Sequence, residues 1–384
     1  MAASHSITHP GRRGSVLIIV LVTLVFAVTA MTLFLERANS DLLVEVREAD
    51  RLRLRQEAYS ALETTLAVLV DFREVLGGLH SPAEGWGQPL EWIGYEPAPG
   101  HEVTVEFVDE SGRMSLPRAD FRTLTDLFMS WGIADDEAER LSDALMGWMQ
   151  EDYEPSSFDA PDHDDYELTP LPFHAPKRPL RTWSELRSID VVREEFFDED
   201  GIPNDLGRRF MSVMSLFDFS APNLNSAPVS VLQAMARYDE QQIARLEGFR
   251  RGDGEFGANG PGYFTNANEV ANVLGEQAVT PGFGASISAL RINVTVVRGR
   301  SSYGLSAVVA PPGGARAVMV DPLPRKDTDE MDTPDNAPAD TTPPAAADDP
   351  DEEPQDLEYP FTLLEIREID SLSAALAAEA TNDF

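Results

Sequence analysis

The sequence predicts an α+β chain: one very long N-terminal helix, a helix-rich middle, and an antiparallel sheet whose strands fall on both sides of that middle. Three observations carry this. Ser15 to Leu35 is an uncharged, apolar run of 21 residues, long enough as a helix to cross about 30 Å of hydrocarbon. Glu36 to Leu76 holds no Pro and no Gly and keeps apolar residues at helical spacing, at Leu42, Val46, Ala49, Leu52, Tyr59, Leu62, Leu66, Leu69 and Val70. Polar and apolar residues then alternate at 102–108 and again at 289–298, with helical spacing between.

The N-terminal run admits three readings. A cleaved secretory signal has an apolar core of 7–15 residues followed by a small-residue cleavage site; this core is longer, and no such site precedes Glu36-Arg37. A plain membrane anchor fits the length. The third reading rests on Arg12-Arg13-Gly14, directly before the run, which resembles a type IV pilin-like leader. There a prepilin peptidase cuts after the Gly, and the apolar helix stays on the mature chain. The cut would fall between Gly14 and Ser15, with Arg12 and Arg13 as the basic leader residues. Two departures stand out: pilins carry Glu as the fifth mature residue, where this chain has Ile19, and Ser15 is an unusual first residue. Arg12 and Arg13 before the span, with mixed charges after it, place the N-terminus in the cytoplasm by the positive-inside bias. The chain would then cross an inner membrane once, with its bulk in the periplasm.

Composition excludes some function classes. With 66 acidic against 30 basic residues, the net charge is −36; such a surface repels phosphate backbones, so nucleic acid is a poor partner. The absence of cysteine removes disulfides, thiolate metal sites and cysteine nucleophiles. Part of the acidity is concentrated in residues 321–356, rich in Asp, Pro, Ala and Thr, which read as a disordered segment.

Along the chain, Gly77-Gly78 ends the long helix, and Asp109-Glu110-Ser111-Gly112 is a turn after the first strand. Helices are expected from Phe121 to Trp131, with Leu124, Leu127 and Phe128 on one face, and from Asp135, as cap, through Gln150, with Ala138, Leu141, Leu145 and Trp148 inward. Thr182 can cap a short helix. Residues 213–224 read as a strand and turn leading to a helix with Ser226 as N-cap and Pro228 at its start, running through Met235. Further helices are expected from Glu240 to Phe249 and Asn266 to Leu274. The chain closes in strands at 289–298, 303–310 and 359–369, so that the acidic segment loops out between adjacent strands of one sheet.

Two segments carry the identification. One is Asp109-Glu110-Ser111-Gly112-Arg113-Met114-Ser115-Leu116. The other, Phe219 to Ala227, contains Asn223-Leu224-Asn225-Ser226-Ala227 and resembles the Asn-x-Asn-x-Ala opening of a helix-hairpin-helix-like unit. With Leu141 to Trp148 and Trp183-Ser184-Glu185-Leu186-Arg187, this ordered set resembles the general secretion pathway protein K family, the minor pseudopilins of type II secretion, over roughly residues 12–310 and 359–369. That family generally lacks the fifth-position Glu, which turns Ile19 from a mismatch into a feature. The resemblance implies a pilin-like long helix on an antiparallel sheet, with a large helical domain, SAM-like or helix-hairpin-helix-like, inserted between strands. It divides the chain into a leader (1–14), a membrane helix (15–35), its periplasmic continuation (36–78), a first sheet part (79–118), the inserted domain (119–280), sheet strands (281–310), the acidic segment (311–358), a last strand (359–369) and a tail (370–384). It implies partners: two other minor pseudopilins in a tip heterotrimer, the major pseudopilin, the prepilin peptidase and the inner membrane.

The competing classes are a membrane-anchored periplasmic binding protein, such as a competence-type DNA receptor, and an anchored enzyme. DNA binding by a helix-hairpin-helix needs a Gly-rich hairpin facing phosphate, and Arg237-Tyr238-Asp239-Glu240 has no Gly. Asn223, Asn225 and Ala227 therefore read as structural. Catalytic motifs are lacking: the six His are scattered, with no Gly-x-Ser-x-Gly elbow or P-loop. Asp152, Glu154, Asp159, Asp162, Asp164, Asp165 and Glu167 offer hard oxygen ligands of the kind calcium takes, and the family binds calcium in its inserted domain. The family's Asp-Trp-x-Asp-x-Asp run, however, appears here as Gly147-Trp148-Met149-Gln150-Glu151-Asp152, which keeps Asp152 alone of its three carboxylates. Bound Ca2+ and a plain solvated acidic loop both remain readings of this segment.

Overall fold

A computed structural model describes residues 13–157, 174–258, 260–318 and 359–370, with the backbone alone for 13–16 and 370. One helix, α1 (Arg13–Leu76), runs 64 residues without a break, about 96 Å at 1.5 Å per residue. The anchor and the soluble helix are thus one element. It stops where the sequence expects, at Gly77, whose φ of 76° is a left-handed conformation that favours glycine.

The strands β1 (Glu102–Asp109), β4 (Leu290–Arg298), β5 (Ser301–Ala310) and β6 (Thr362–Asp370) form an antiparallel sheet in the order β1-β4-β5-β6. Between β1 and β4 the chain builds a helical domain. Its longer elements are α2 (Phe121–Ser130), α3 (Asp135–Met149), α4 (Asp190–Phe196), α5 (Asp205–Val213) and α6 (Glu240–Arg251). A two-residue parallel bridge, β2 (Met114–Ser115) with β3 (Met214–Ser215), ties the entry of that domain to its middle. Residues 311–361 lie between β5 and β6, which are direct neighbours in the sheet.

Period-2 alternation decides how α1 meets the sheet. Ile292, Val294, Val296, Leu305, Ala307 and Val309 all point to one face and bury against Leu54, Ala58, Ala61, Leu62 and Leu69 of α1. Small alanines at two helical positions let the backbone come close. The helical spacing in the sequence is right in kind but wrong in phase for the upper part. Leu42, Val46 and Leu52 are 59%, 57% and 64% exposed; they precede the sheet or face away from it. A separate core fills the helical domain, centred on Leu124, Leu127, Phe128, Leu145, Phe196 and Phe210.

Three local expectations are corrected. Residues 213–224 are not a strand; β3 covers two residues and Val213 closes α5. Asp135 is the first helical residue and not a cap; Ala134 holds that position without a side-chain acceptor. Ser226 does not cap a helix. Pro228 takes the N-cap place before Val229–Val231, and the following turn widens to a π-helix, Leu232–Ala236, closed by Arg237 at φ 55°.

Candidate functional site

Two features are available to function: the exposed apolar half of α1, and a buried polar junction that holds the helical domain against the sheet. On α1, Leu17 to Leu35 carries Phe26, Val28, Met31, Leu33 and Phe34 on all sides, each more than half exposed. Among the described residues this is the one helix long and apolar enough to cross a membrane. Apolar character around the whole circumference is what a lipid or a bundle of neighbouring helices requires, and what a surface helix of a soluble domain avoids. Gly14 and Ser15 lie in the first turn of α1; Arg12 lies outside the described residues.

The junction is built from the two segments that the sequence singles out. Asp109, the last residue of β1, is half-buried, and its carboxylate collects four donors. Oδ1 accepts from the Ser111 backbone N–H at 2.9 Å and from its hydroxyl at 2.5 Å. Oδ2 accepts from the Asn223 amide at 2.7 Å and the Ser226 hydroxyl at 2.5 Å. Burial pushes the Asp109 carboxyl above its ordinary range, and the bonds from Ser111, Ser226 and Asn223 offset only part of that. Gly112 packs so tightly on Ser226 that a Cβ there would lie 2.6 Å from Oγ and 2.8 Å from the backbone oxygen.

Asn223 and Asn225 complete the arrangement. The Asn223 amide also donates to His80 O at 3.0 Å, and its oxygen accepts the Asn225 N–H at 3.1 Å. Asn225 donates to Phe264 O at 2.9 Å and Ala285 O at 2.8 Å, and accepts the Phe264 N–H at 2.7 Å. Both side chains thus satisfy backbone groups that would be buried without partners. Ala227 is fully buried; its carbonyl and that of Leu224 are held by the Arg250 guanidinium. Burial brings Arg250 down to about 10. His80 in turn sits 2.5 Å from Glu84, which also accepts the Trp86 indole N–H at 2.8 Å.

A second carboxylate shapes the acidic loop. Asp143 on α3 is buried and accepts the N–H groups of Ser156 and Ser157, the Ser157 hydroxyl at 2.6 Å and the Tyr153 hydroxyl at 2.5 Å. Asp152 and Glu154 are exposed on the loop so formed. Asp159, Asp162, Asp164, Asp165 and Glu167 lie outside the described residues. Among the described residues, no three His, Cys, Asp or Glu are grouped to hold a metal. Sequence reasoning recorded Asp109 only as a turn residue and missed His80, Glu84 and Asp143. The partner of the His80 carbonyl is 143 residues away, whereas Glu84 closes a local Ser81-Pro82-Ala83-Glu84 capping box that the sequence does carry.

Comparison with known proteins adds to this geometry. Residues 108–199 match the family model described as type II secretion system (T2SS), protein K. The type II secretion system protein K of Pectobacterium carotovorum subsp. carotovorum is 24% identical over 233 residues, covering 56% of this chain and 66% of that relative, just under two thirds of its length. Among solved structures, the GspK-GspI-GspJ complex from the enterotoxigenic Escherichia coli type 2 secretion system contains a chain 13% identical. The overlay covers 72% of this chain and 97% of that one, with a TM-score of 0.49.

Proposed function

We propose that the chain is a member of the type II secretion system protein K family, whose model matches residues 108–199, and that it works as a minor pseudopilin at the tip of the periplasmic pseudopilus, helping to initiate the filament and to support export across the outer membrane. The observation that carries this reading is α1 itself. One unbroken helix presents an all-round apolar half for the membrane or neighbouring helices and an amphipathic half that carries the sheet. Its work is packing, not bond chemistry. Two other minor pseudopilins would pair with it in a tip heterotrimer, and the major pseudopilin would continue below.

Under this reading a prepilin peptidase cuts between Gly14 and Ser15, and Ser15 becomes the N-terminus, a site for N-methylation. The N-terminus faces the cytoplasm before cleavage, and the bulk of the chain lies in the periplasm. Ile19 brings no carboxylate to pair with the N-terminal amine of a subunit above, which suits the last position in a filament. A bulky helical domain inserted between β1 and β4 also suits an end better than a repeating interior.

The test is the mass of the mature N-terminus after co-expression with a prepilin peptidase. A chain starting at Ser15 agrees with the reading. An intact Met1, or a cut after Leu35, would remove it. A DNA-receptor reading predicts salt-dependent duplex binding, which the net charge of −36 opposes.

A further inference from the structure

We propose that residues 371–384, which continue the chain beyond β6, dock as a helix in an apolar groove between β6 and α1. The groove arises because α1 is narrower than the sheet. A helix about 10 Å across does not cover four strands spaced about 4.8 Å apart, and β6 lies at the end of the strand order. Its Ile366 pairs with Ala307 and its Leu363 with Val309, both on the face that α1 covers. Leu363 and Ile366 therefore share that face. They are nevertheless 54% and 41% exposed.

The helix side of the groove is apolar too. Arg55 and Tyr59 reach Glu368 of β6, and Arg73 reaches the Pro360 carbonyl and the Phe361 ring. The stripe of α1 through these residues thus runs along the strand. Leu66 and Val70 lie on that stripe, at helical spacing from Tyr59 and Arg73, and both are half-buried. An apolar strip of two elements is left beside water, and it calls for an apolar cover.

Two stretches outside the described residues adjoin the groove. Residues 319–358 meet its end at Phe361, but 321–356 is rich in Asp and Pro, which offer little apolar surface and break helices. Residues 371–384 start at the opposite end, directly after Asp370. Ser371 to Ala380 holds five Ala, two Leu and one charge, with no Gly or Pro, a composition of high helix propensity. Leu372, Ala375 and Leu376 fall on one helical face. So short a helix is marginal alone in water, and packing in the groove supplies what it lacks. The reach fits as well. Ten helical residues span about 15 Å, while Ile366 stands four residues, about 13 Å, back along the strand from Asp370. This inference does not depend on the filament reading.

The chain has no cysteine, so an introduced pair reports without background. The experiment uses the full chain in detergent with Ile366→Cys and Leu376→Cys together, oxidised mildly and read by mass spectrometry of the linked peptides. The disulfide is expected to close about tenfold faster, or more, than in a control pairing Leu376→Cys with Glu102→Cys on the opposite edge strand β1. Its rate should not change on dilution. Equal rates for the two pairs overturn the proposal, and so does a link found only between two copies, which would make a second copy the occupant. Because Ile366→Cys itself trims the groove, Leu376→Asp in the otherwise unaltered chain gives a second reading. It is expected to quicken amide exchange across 362–369 about tenfold. Exchange left unchanged there would mean that the tail does not cover β6, and would overturn the proposal.

Discussion

The Asn223 amide donates to Asp109 Oδ2 at 2.7 Å across 114 residues of sequence, and this bond joins the end of the first sheet strand to the middle of the helical domain. Truncating Asn223 to Ala leaves the Asp109 carboxylate, the His80 carbonyl and the Asn225 N–H each short of a partner in a buried place. The expected cost is about 2–4 kcal/mol, read as a lower urea midpoint with an unchanged slope. A loss under about 0.5 kcal/mol would mean that the junction is not a structural hub.

Gly112 gives a second route to the same contact. A methyl group there meets both the hydroxyl and the backbone oxygen of Ser226. Gly112→Ala should therefore destabilise by about 1–3 kcal/mol. Adding Ser226→Gly should recover only part of this, because the backbone oxygen remains at 2.8 Å. Complete recovery in the double variant would show that the hydroxyl alone sets the limit.

Glu84 and Asp109 respond to pH in opposite senses. Burial alone would raise the Glu84 carboxyl, but the bonds from His80 and Trp86 outweigh it and hold the group below its usual 4.5. The folded state then binds the proton less readily than the unfolded chain. Its contribution is complete above about 4.5 and fades as pH falls through the folded value. Asp109, raised by burial, stabilises most at low pH and loses that contribution as pH climbs through its folded value. Glu84→Gln should cost about 1 kcal/mol at pH 7, and the gap in melting temperature to the parent should narrow as pH falls below 4.5. A gap equally wide at pH 3.5 would refute the assignment.

How far the sequence could be read follows from the range of each interaction. The α1 helix was legible because 41 residues from Glu36 to Leu76 without Pro or Gly leave the backbone little alternative. Strands β1 and β4 were legible because one buried face imposes strict alternation at Leu290, Ile292, Val294 and Val296. The phase of the α1 contact was not, since Leu42 and Leu54 look alike until the sheet is in place. Ser226 looked like a cap because serine before Pro is a good local signal; a carboxylate from a distant strand out-competed the helix for its hydroxyl. Asn223 and Asn225 were read as satisfying buried backbone, and they do so, but that Asp109 receives them could not be seen without the fold.

Arg250 tests whether the Asn-x-Asn-x-Ala loop is held by charge geometry or by packing alone. Its guanidinium reaches the carbonyl oxygens of Leu224 and Ala227 together, two acceptors that the loop itself leaves unpaired. Burial lowers it to about 10, so it stays charged at neutral pH and costs desolvation that these bonds offset. Lysine carries the same charge but a single ammonium in place of a planar fork. Arg250→Lys should therefore lose about 1–3 kcal/mol, and Arg250→Met at least as much, since the two carbonyls then stay buried without a charged donor. Amide exchange at Phe264, whose N–H bonds to Asn225 Oδ1 at 2.7 Å, should quicken in both variants if the loop loosens as a unit. Unchanged protection there, with stability lost elsewhere, would confine the role of Arg250 to packing on α6.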